Sequence, residues 1–120
     1  MSKILIVEDD PMMREIYEKK FSEAGFEVSM AENGKQAIDV IKKEKIEVVL
    51  SDLVMSEMDG FELVKTLRGE GYDPNIKIII LSNLFDSKDQ VMELGANGFL
   101  SKYAHIPSEI VAEVKKIIEA

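Results

Sequence analysis

Cysteine is absent from the chain, which excludes disulfides and thiolate metal sites and is compatible with a reducing compartment. Histidine occurs once, as His105, isolated in a loop-like stretch where it reads as structural or incidental. The N-terminus lacks a long hydrophobic run: Met1-Ser2-Lys3 passes into an apolar strand of four residues, too short for a signal-peptide core or a membrane span. A cytoplasmic protein without membrane insertion is the expectation. Positive charge is in deficit, with a net charge of -8 and lysines interleaved with glutamates. No basic stripe is available for a phosphate backbone, which argues against direct nucleic-acid binding, whereas acidic charge suits cationic partners, including metal ions. No glycine-rich phosphate loop follows the first strand, and there is no repeat or low-complexity tract. At 120 residues and 46% hydrophobic content, the chain is expected to form one domain over residues 1–120, with no length for a second.

What is present is a series of apolar runs that end in polar groups. Ile4 to Val7 ends in Glu8, Asp9 and Asp10. Val48, Val49 and Leu50 lead to Ser51-Asp52, the pattern of a strand covered on both faces in a parallel sheet. Ile76 to Leu81 ends in Ser82-Asn83, and a brief strand over Asn97 to Lys102 ends in that lysine. Phe26 to Ala31 alternates instead, as a half-exposed edge strand does.

Helices are predicted between these runs. Asp10-Pro11 places a cap and a first-turn proline ahead of Met13, Ile16, Tyr17, Phe21 and Ala24, with Gly25 as the stop. Asn33 with Gln36, and Asp59 with Glu62, have capping-box spacing. Asp86 or Ser87 is expected to cap a short fourth helix closed by Gly95, and a last helix starts near Pro107. Strand and helix alternate five times, so the expected architecture is α/β, a parallel sheet with helices on both faces.

In such sheets ligands bind at the carboxyl ends of the strands. Glu8, Asp9, Asp52, Ser82 and Lys102 therefore fall along one edge as a single site. Carboxylates about 4 Å apart repel by roughly 4 kcal/mol per pair at an effective dielectric of 20, so they need a cation or must take up protons. Oxygen ligands without histidine or cysteine favour a hard divalent ion, and Mg²⁺ leaves room for phosphate. With Lys102 as a second cation and Ser82 as a hydrogen-bond donor, Asp52 is placed to receive a phosphoryl group as nucleophile. Asp10 reads as a helix cap rather than a ligand.

Four segments, ILIVEDD at Ile4 to Asp10, DLVMSEMDG at Asp52 to Gly60, IIILSN at Ile78 to Asn83 and GANGFLSK at Gly95 to Lys102, closely resemble the receiver domain of bacterial two-component response regulators. The resemblance implies the flavodoxin-like, doubly wound, five-stranded parallel sheet of order 2-1-3-4-5 with five helices, a fold for which a chemotaxis receiver is a standard example. It implies phosphorylation of Asp52 by a histidine kinase or histidine phosphotransfer protein, and Mg²⁺ held by Glu8, Asp9, Asp52 and the backbone carbonyl of Val54. It also implies a switch pair, Ser82 and Phe99, and an output by changed contact with a downstream protein target over the fourth helix, fifth strand and fifth helix. On that reading the chain is a signalling phosphoacceptor, not an enzyme. Val54 and Leu84 stand at the family's rate-tuning positions and are expected to slow hydrolysis of the phosphoaspartate.

Two positions depart from the family pattern. Ser56 replaces the usual proline, so the loop after Asp52 lacks a φ restraint and is expected to be more mobile. Tyr103 replaces the usual proline after Lys102, where a cis bond without proline would cost about 3 to 4 kcal/mol. Two rival classes are weaker. A phosphatase of the haloacid dehalogenase type expects D-x-D after its first strand and a cap domain, and a flavin-phosphate carrier would place its anion against three acids.

Overall fold

A computed structural model describes residues 2–83, 87–102 and 104–119. Its elements alternate without exception: β1 (Lys3–Val7), α1 (Pro11–Glu23), β2 (Glu27–Ala31), α2 (Gly34–Lys43), β3 (Val48–Asp52), α3 (Gly60–Leu67), β4 (Lys77–Ser82), α4 (Lys88–Glu93), β5 (Gly98–Ser101) and α5 (Pro107–Glu119). The strands form one parallel sheet in the order β2-β1-β3-β4-β5. This is the flavodoxin-like order anticipated from the sequence, and the reversal of strand order between β1 and β3, where the connections on either side run to opposite edges of the sheet, marks the crevice where such sheets bind ligands.

The period of two along each strand divides the core. Leu5, Val7, Val49, Ile78 and Ile80 face the layer of α2, α3 and α4, where Ala37, Leu63, Val64, Leu67 and Val91 cover them. Ile4, Ile6, Val48, Leu50, Ile79 and Leu81 face α1 and α5, against Tyr17, Phe21, Ile110, Val111 and Val114. Runs of Ile, Leu and Val are therefore required on β1, β3 and β4, since neither face of an interior strand meets water. Each fully buried side chain of this kind stabilises the fold by about 1.5 to 3 kcal/mol. β2 lies at an edge, and its Met30 is 37% exposed, in keeping with its alternating sequence.

The helix starts follow the capping residues with one exception. Asp10 Oδ1 accepts from the amides of Met12 at 2.9 Å and Met13 at 3.4 Å. Asn33 Oδ1 accepts from Gln36 N at 2.9 Å, and Gln36 Oε1 reaches back to Glu32 N at 3.0 Å. Asp59 Oδ1 accepts from Glu62 N at 3.0 Å. Ser87 does not cap α4: its own backbone is already helical (φ -92°, ψ -4°) and its side chain makes no capping bond, so the hydroxyl cannot swing over the first turn. Asp86, the alternative cap, lies outside the described residues.

Several strand ends differ from expectation by one residue: Ile76 precedes β4, which runs on through Ser82, and β5 stops at Ser101. Phe26 is not in β2; it turns inward and meets Phe21 edge-on, with centroids 5.2 Å apart, closing the end of α1. Asn97 precedes β5, yet its amide donates to Ile78 O and its Oδ1 accepts from Ile78 N, both at 2.7 Å. One side chain thus supplies a rung that the backbone would otherwise make. No helix among the described residues is long and apolar enough to cross a membrane.

Candidate functional site

The register of the sheet brings the strand ends into line. Val7 is paired with Ser51, Asp52 with Leu81, and Ser82 with Ser101. Glu8, Asp52, Ser82 and Lys102 consequently reach the same edge from four neighbouring strands, and the Lys102 amide donates to Ser82 O at 3.2 Å. Asp9 joins them from the loop before α1: Glu8, Asp9 and Asp52 offer carboxylate oxygens within 4.8 Å of one another.

Lys102 is the cation that holds this cluster together. Its Nζ lies 2.7 Å from Glu8 Oε1 and 2.7 Å from Asp52 Oδ2. Burial works against its charge, but the hydrogen bonds to Asp52 and Glu8 outweigh burial and hold the ammonium above the ordinary lysine range. Glu8 shows the opposite balance. Burial pushes its carboxyl up, the bond to Lys102 pulls it back, and Asp52 and Asp9 push it up again, leaving a net upward shift. The second Asp52 oxygen, Oδ1, accepts from Leu53 N at 2.7 Å and from Val54 N at 3.4 Å, so the backbone of the following loop fixes the carboxylate plane.

Gly60 brings the far end of that loop back to the strand. Its amide donates to Leu53 O at 2.8 Å, and a Cβ there would lie 2.7 Å from Asp52 O and 2.8 Å from Leu53 Cα. Only glycine permits so close an approach beneath Asp52.

The donor set suits a hard divalent cation. It is all oxygen, and one cation in contact with two acids, beside a third, leaves negative charge in excess. Asp10 stands apart, its Oδ1 committed to the α1 cap. Ser82 is buried at the end of β4, and Phe99 is half-buried on β5, packed against the core beneath α2, α3 and α4. Val54 is 61% exposed in the loop after Asp52. Leu84 and the Lys102-Tyr103 peptide bond lie outside the described residues. His105 Nδ1 is 3.1 Å from Ser101 O, a local loop contact in keeping with a structural role.

Three residues near the acids were not singled out by sequence reasoning. Arg14 Nη1 donates to Glu8 O at 2.9 Å, bracing the loop that carries Asp9. Tyr17 is one position of a helix face in the sequence, but it lines a small cavity with Glu8, Ser51 and Asp52, and burial pushes its phenol up. Gly34 touches the loop after Asp52 from α2. The position of Arg14, one turn beyond the Asp10 cap, was a usable signal; nothing local in the sequence marks the other two.

Comparison with known proteins identifies the family. The family model described as response regulator receiver domain matches residues 4–115. A probable transcriptional regulator, ycf27, of Porphyridium aerugineum is 32% identical over 118 residues, covering 97% of this chain and 48% of the relative. The chain thus spans about half the length of the curated relatives it matches. Among solved structures, chemotaxis response regulator CheY4 of Vibrio cholerae matches with a TM-score of 0.90 at 28% identity over 98% of both chains. Response regulator protein TrrA of Thermotoga maritima, in complex with Mg²⁺-BeF, matches with a TM-score of 0.85 at 27% identity, over 98% of this chain and 99% of that one. The sheet order, the strand-end site and a family match over nearly the whole length place one conclusion beyond the fold: the chain belongs to the receiver domains of two-component response regulators.

Proposed function

We propose that Asp52 accepts a phosphoryl group from a phosphohistidine on a histidine kinase or histidine phosphotransfer protein, with Mg²⁺ as cofactor, and that the phosphorylated form signals in the cytoplasm through a changed contact with a downstream protein. The observation that carries the proposal is the placement of Asp52: one oxygen is held by backbone amides and the other by an ammonium 2.7 Å away, beside two further acids.

In the transfer, an Asp52 oxygen forms a bond to phosphorus as the phosphorus–nitrogen bond of the phosphohistidine breaks, and the imidazole leaves with the electron pair. Glu8, Asp9, Asp52 and the carbonyl of Val54 would hold Mg²⁺, which when bound supplies positive charge to the oxygens of the transferring group. Lys102 keeps its proton throughout and offers a second, fixed positive charge from the β5 side. Ser82 would donate its hydroxyl to the phosphate, and Phe99 would turn inward as that hydroxyl moves, shifting the α4–β5–α5 surface between two pre-existing states. The chain catalyses nothing beyond its own phosphorylation and dephosphorylation on this reading.

Intact-protein mass after incubation with acetyl phosphate, with and without Mg²⁺, tests the proposal. One phosphate adduct is expected, dependent on Mg²⁺ and lost in Asp52→Asn. No adduct in the wild type, under conditions that label a control receiver, would refute it.

A further inference from the structure

Met58 is the one non-glycine residue with positive φ among the described residues, at 62°. A methionine gains nothing locally from that conformation, so something outside the residue must hold it there. The partner is the first turn of α2. The free amide of Gly34, at the helix start, donates to Met58 O at 3.2 Å. Gly34 also has no side chain where one would collide: a Cβ there would overlap Met58 O and lie 2.8 Å from Met58 Cγ and 2.9 Å from Met58 Cβ. Asn33, the α2 cap, is itself buried and bonded to Gln36, so the helix start cannot easily retreat.

The loop held in this way is the one that follows the phosphoacceptor. Its near end is fixed by Asp52 Oδ1 on the amides of Leu53 and Val54, and its two ends are joined by Gly60 N on Leu53 O. The stretch between, Met55 to Asp59, includes Ser56, where a proline ring could have restrained φ. Seating of the Met58 carbonyl on Gly34 supplies a restraint to that stretch from outside it.

We infer that Gly34 is a positioning residue for the phosphoacceptor loop: its amide and bare Cα seat the left-handed Met58 backbone, and this fixes the path of the chain that carries the Val54 carbonyl. The inference rests on the proposal that Val54 contributes to a Mg²⁺ site. Its consequence is that backbone preference at residue 58, and side-chain size at residue 34, set affinity for the ion although neither residue touches it.

The test is a Mg²⁺ titration of the full chain followed by amide chemical shifts of residues 52–60, with thermal unfolding in EDTA measured alongside. Gly34→Ala should weaken Mg²⁺ binding by about 10- to 100-fold, the range found when groups behind the ligands are removed. Met58→Val, β-branched and averse to positive φ, should weaken it in the same direction, while Met58→Asn, which tolerates the left-handed region, should retain wild-type affinity. The Met58 pair keeps the test decisive if Gly34→Ala fails to fold. Lower melting temperatures with unchanged Mg²⁺ affinity in Gly34→Ala and Met58→Val would show a merely structural contact and overturn the inference, as would equal affinities for Met58→Val and Met58→Asn. A wild type without saturable Mg²⁺ shifts would instead overturn the metal site itself, and this inference with it.

Discussion

Replacing Lys102 with methionine keeps the approximate length of the side chain and removes the charge between Glu8 and Asp52. Each of its two contacts, at 2.7 Å, corresponds to about 6 kcal/mol of attraction at an effective dielectric of 20. Desolvation offsets much of that, and removing one partner from a buried ionic cluster costs about 3 to 5 kcal/mol. Solvent screening softens the loss only slightly, because the side chains of Lys102, Glu8 and Asp52 are 20%, 3% and 13% exposed. A chain of 120 residues unfolds with an entropy of about 0.25 kcal/mol/K, so the melting temperature should fall by about 12 to 20 °C at pH 8 in EDTA.

The pH dependence follows from Glu8. Its folded-state pKa is raised, chiefly by burial, so the folded protein holds this proton more tightly than the unfolded chain does. The stability it contributes is present below the ordinary glutamate pKa and is lost as pH rises through the raised value. Without Lys102 the opposing pull disappears and the shift grows. The variant should therefore recover on acidification to pH 5, by up to about 1.4 kcal/mol per pH unit relative to the wild type. Mg²⁺ at neutral pH should restore part of the loss by supplying the missing charge. Circular-dichroism melts at pH 5 and pH 8, with and without Mg²⁺, read all of these. A deficit equal at both pH values, or one below about 1 kcal/mol at pH 8, as for an exposed pair, would refute the claim that Lys102 compensates buried acids.

Glu8→Gln should act in the reverse sense, raising the EDTA melting temperature at pH 8 by a few degrees, about 1 kcal/mol, and flattening its pH dependence above the ordinary glutamate pKa, while weakening Mg²⁺ binding in the same titration. Asp10→Ala should cost about 0.5 to 2 kcal/mol through the lost cap, and because Asp10 faces α1, the yield of acetyl-phosphate adduct should stay at the wild-type level. Arg68→Ala removes bonds to Gly95 O at 2.9 Å, Asn97 Oδ1 at 2.8 Å and Pro74 O at 3.3 Å. A loss of about 1.5 to 3 kcal/mol, with faster amide exchange at Asn97 and Gly98, is expected by denaturation and hydrogen exchange.

The parts of this molecule that were legible from sequence are those decided over short distances. Ile4 to Val7, Val48 to Leu50 and Ile78 to Leu81 announce interior strands because a strand covered on two faces can place no polar group between its ends. Asp10, Asn33 and Asp59 announce helix starts because each reaches an amide two or three residues ahead. The strand-end rule then carries Glu8, Asp52, Ser82 and Lys102 to one edge. Contacts between segments distant in sequence were not legible. Gly34 looks like an ordinary turn glycine until α2 meets Met58, Tyr17 is one apolar position among several on α1, and Asn97 resembles any loop asparagine until it pairs with Ile78. Ser87 illustrates the converse failure: the residue type suits a cap, but capping needs an extended backbone that residue 87 does not have.

The ladder bond between Lys102 N and Ser82 O gives the site a mechanical asymmetry. The acids stand on or just beyond β1 and β3, strands flanked on both sides by others, whereas the ammonium follows a four-residue strand at the sheet margin. One half of the site therefore stands on interior strands and the other on a strand with a neighbour on one side only. The ammonium's position thus depends on pairing from β4 alone, so the acids sit on the more firmly tethered half of the site and their counter-charge on the less tethered one.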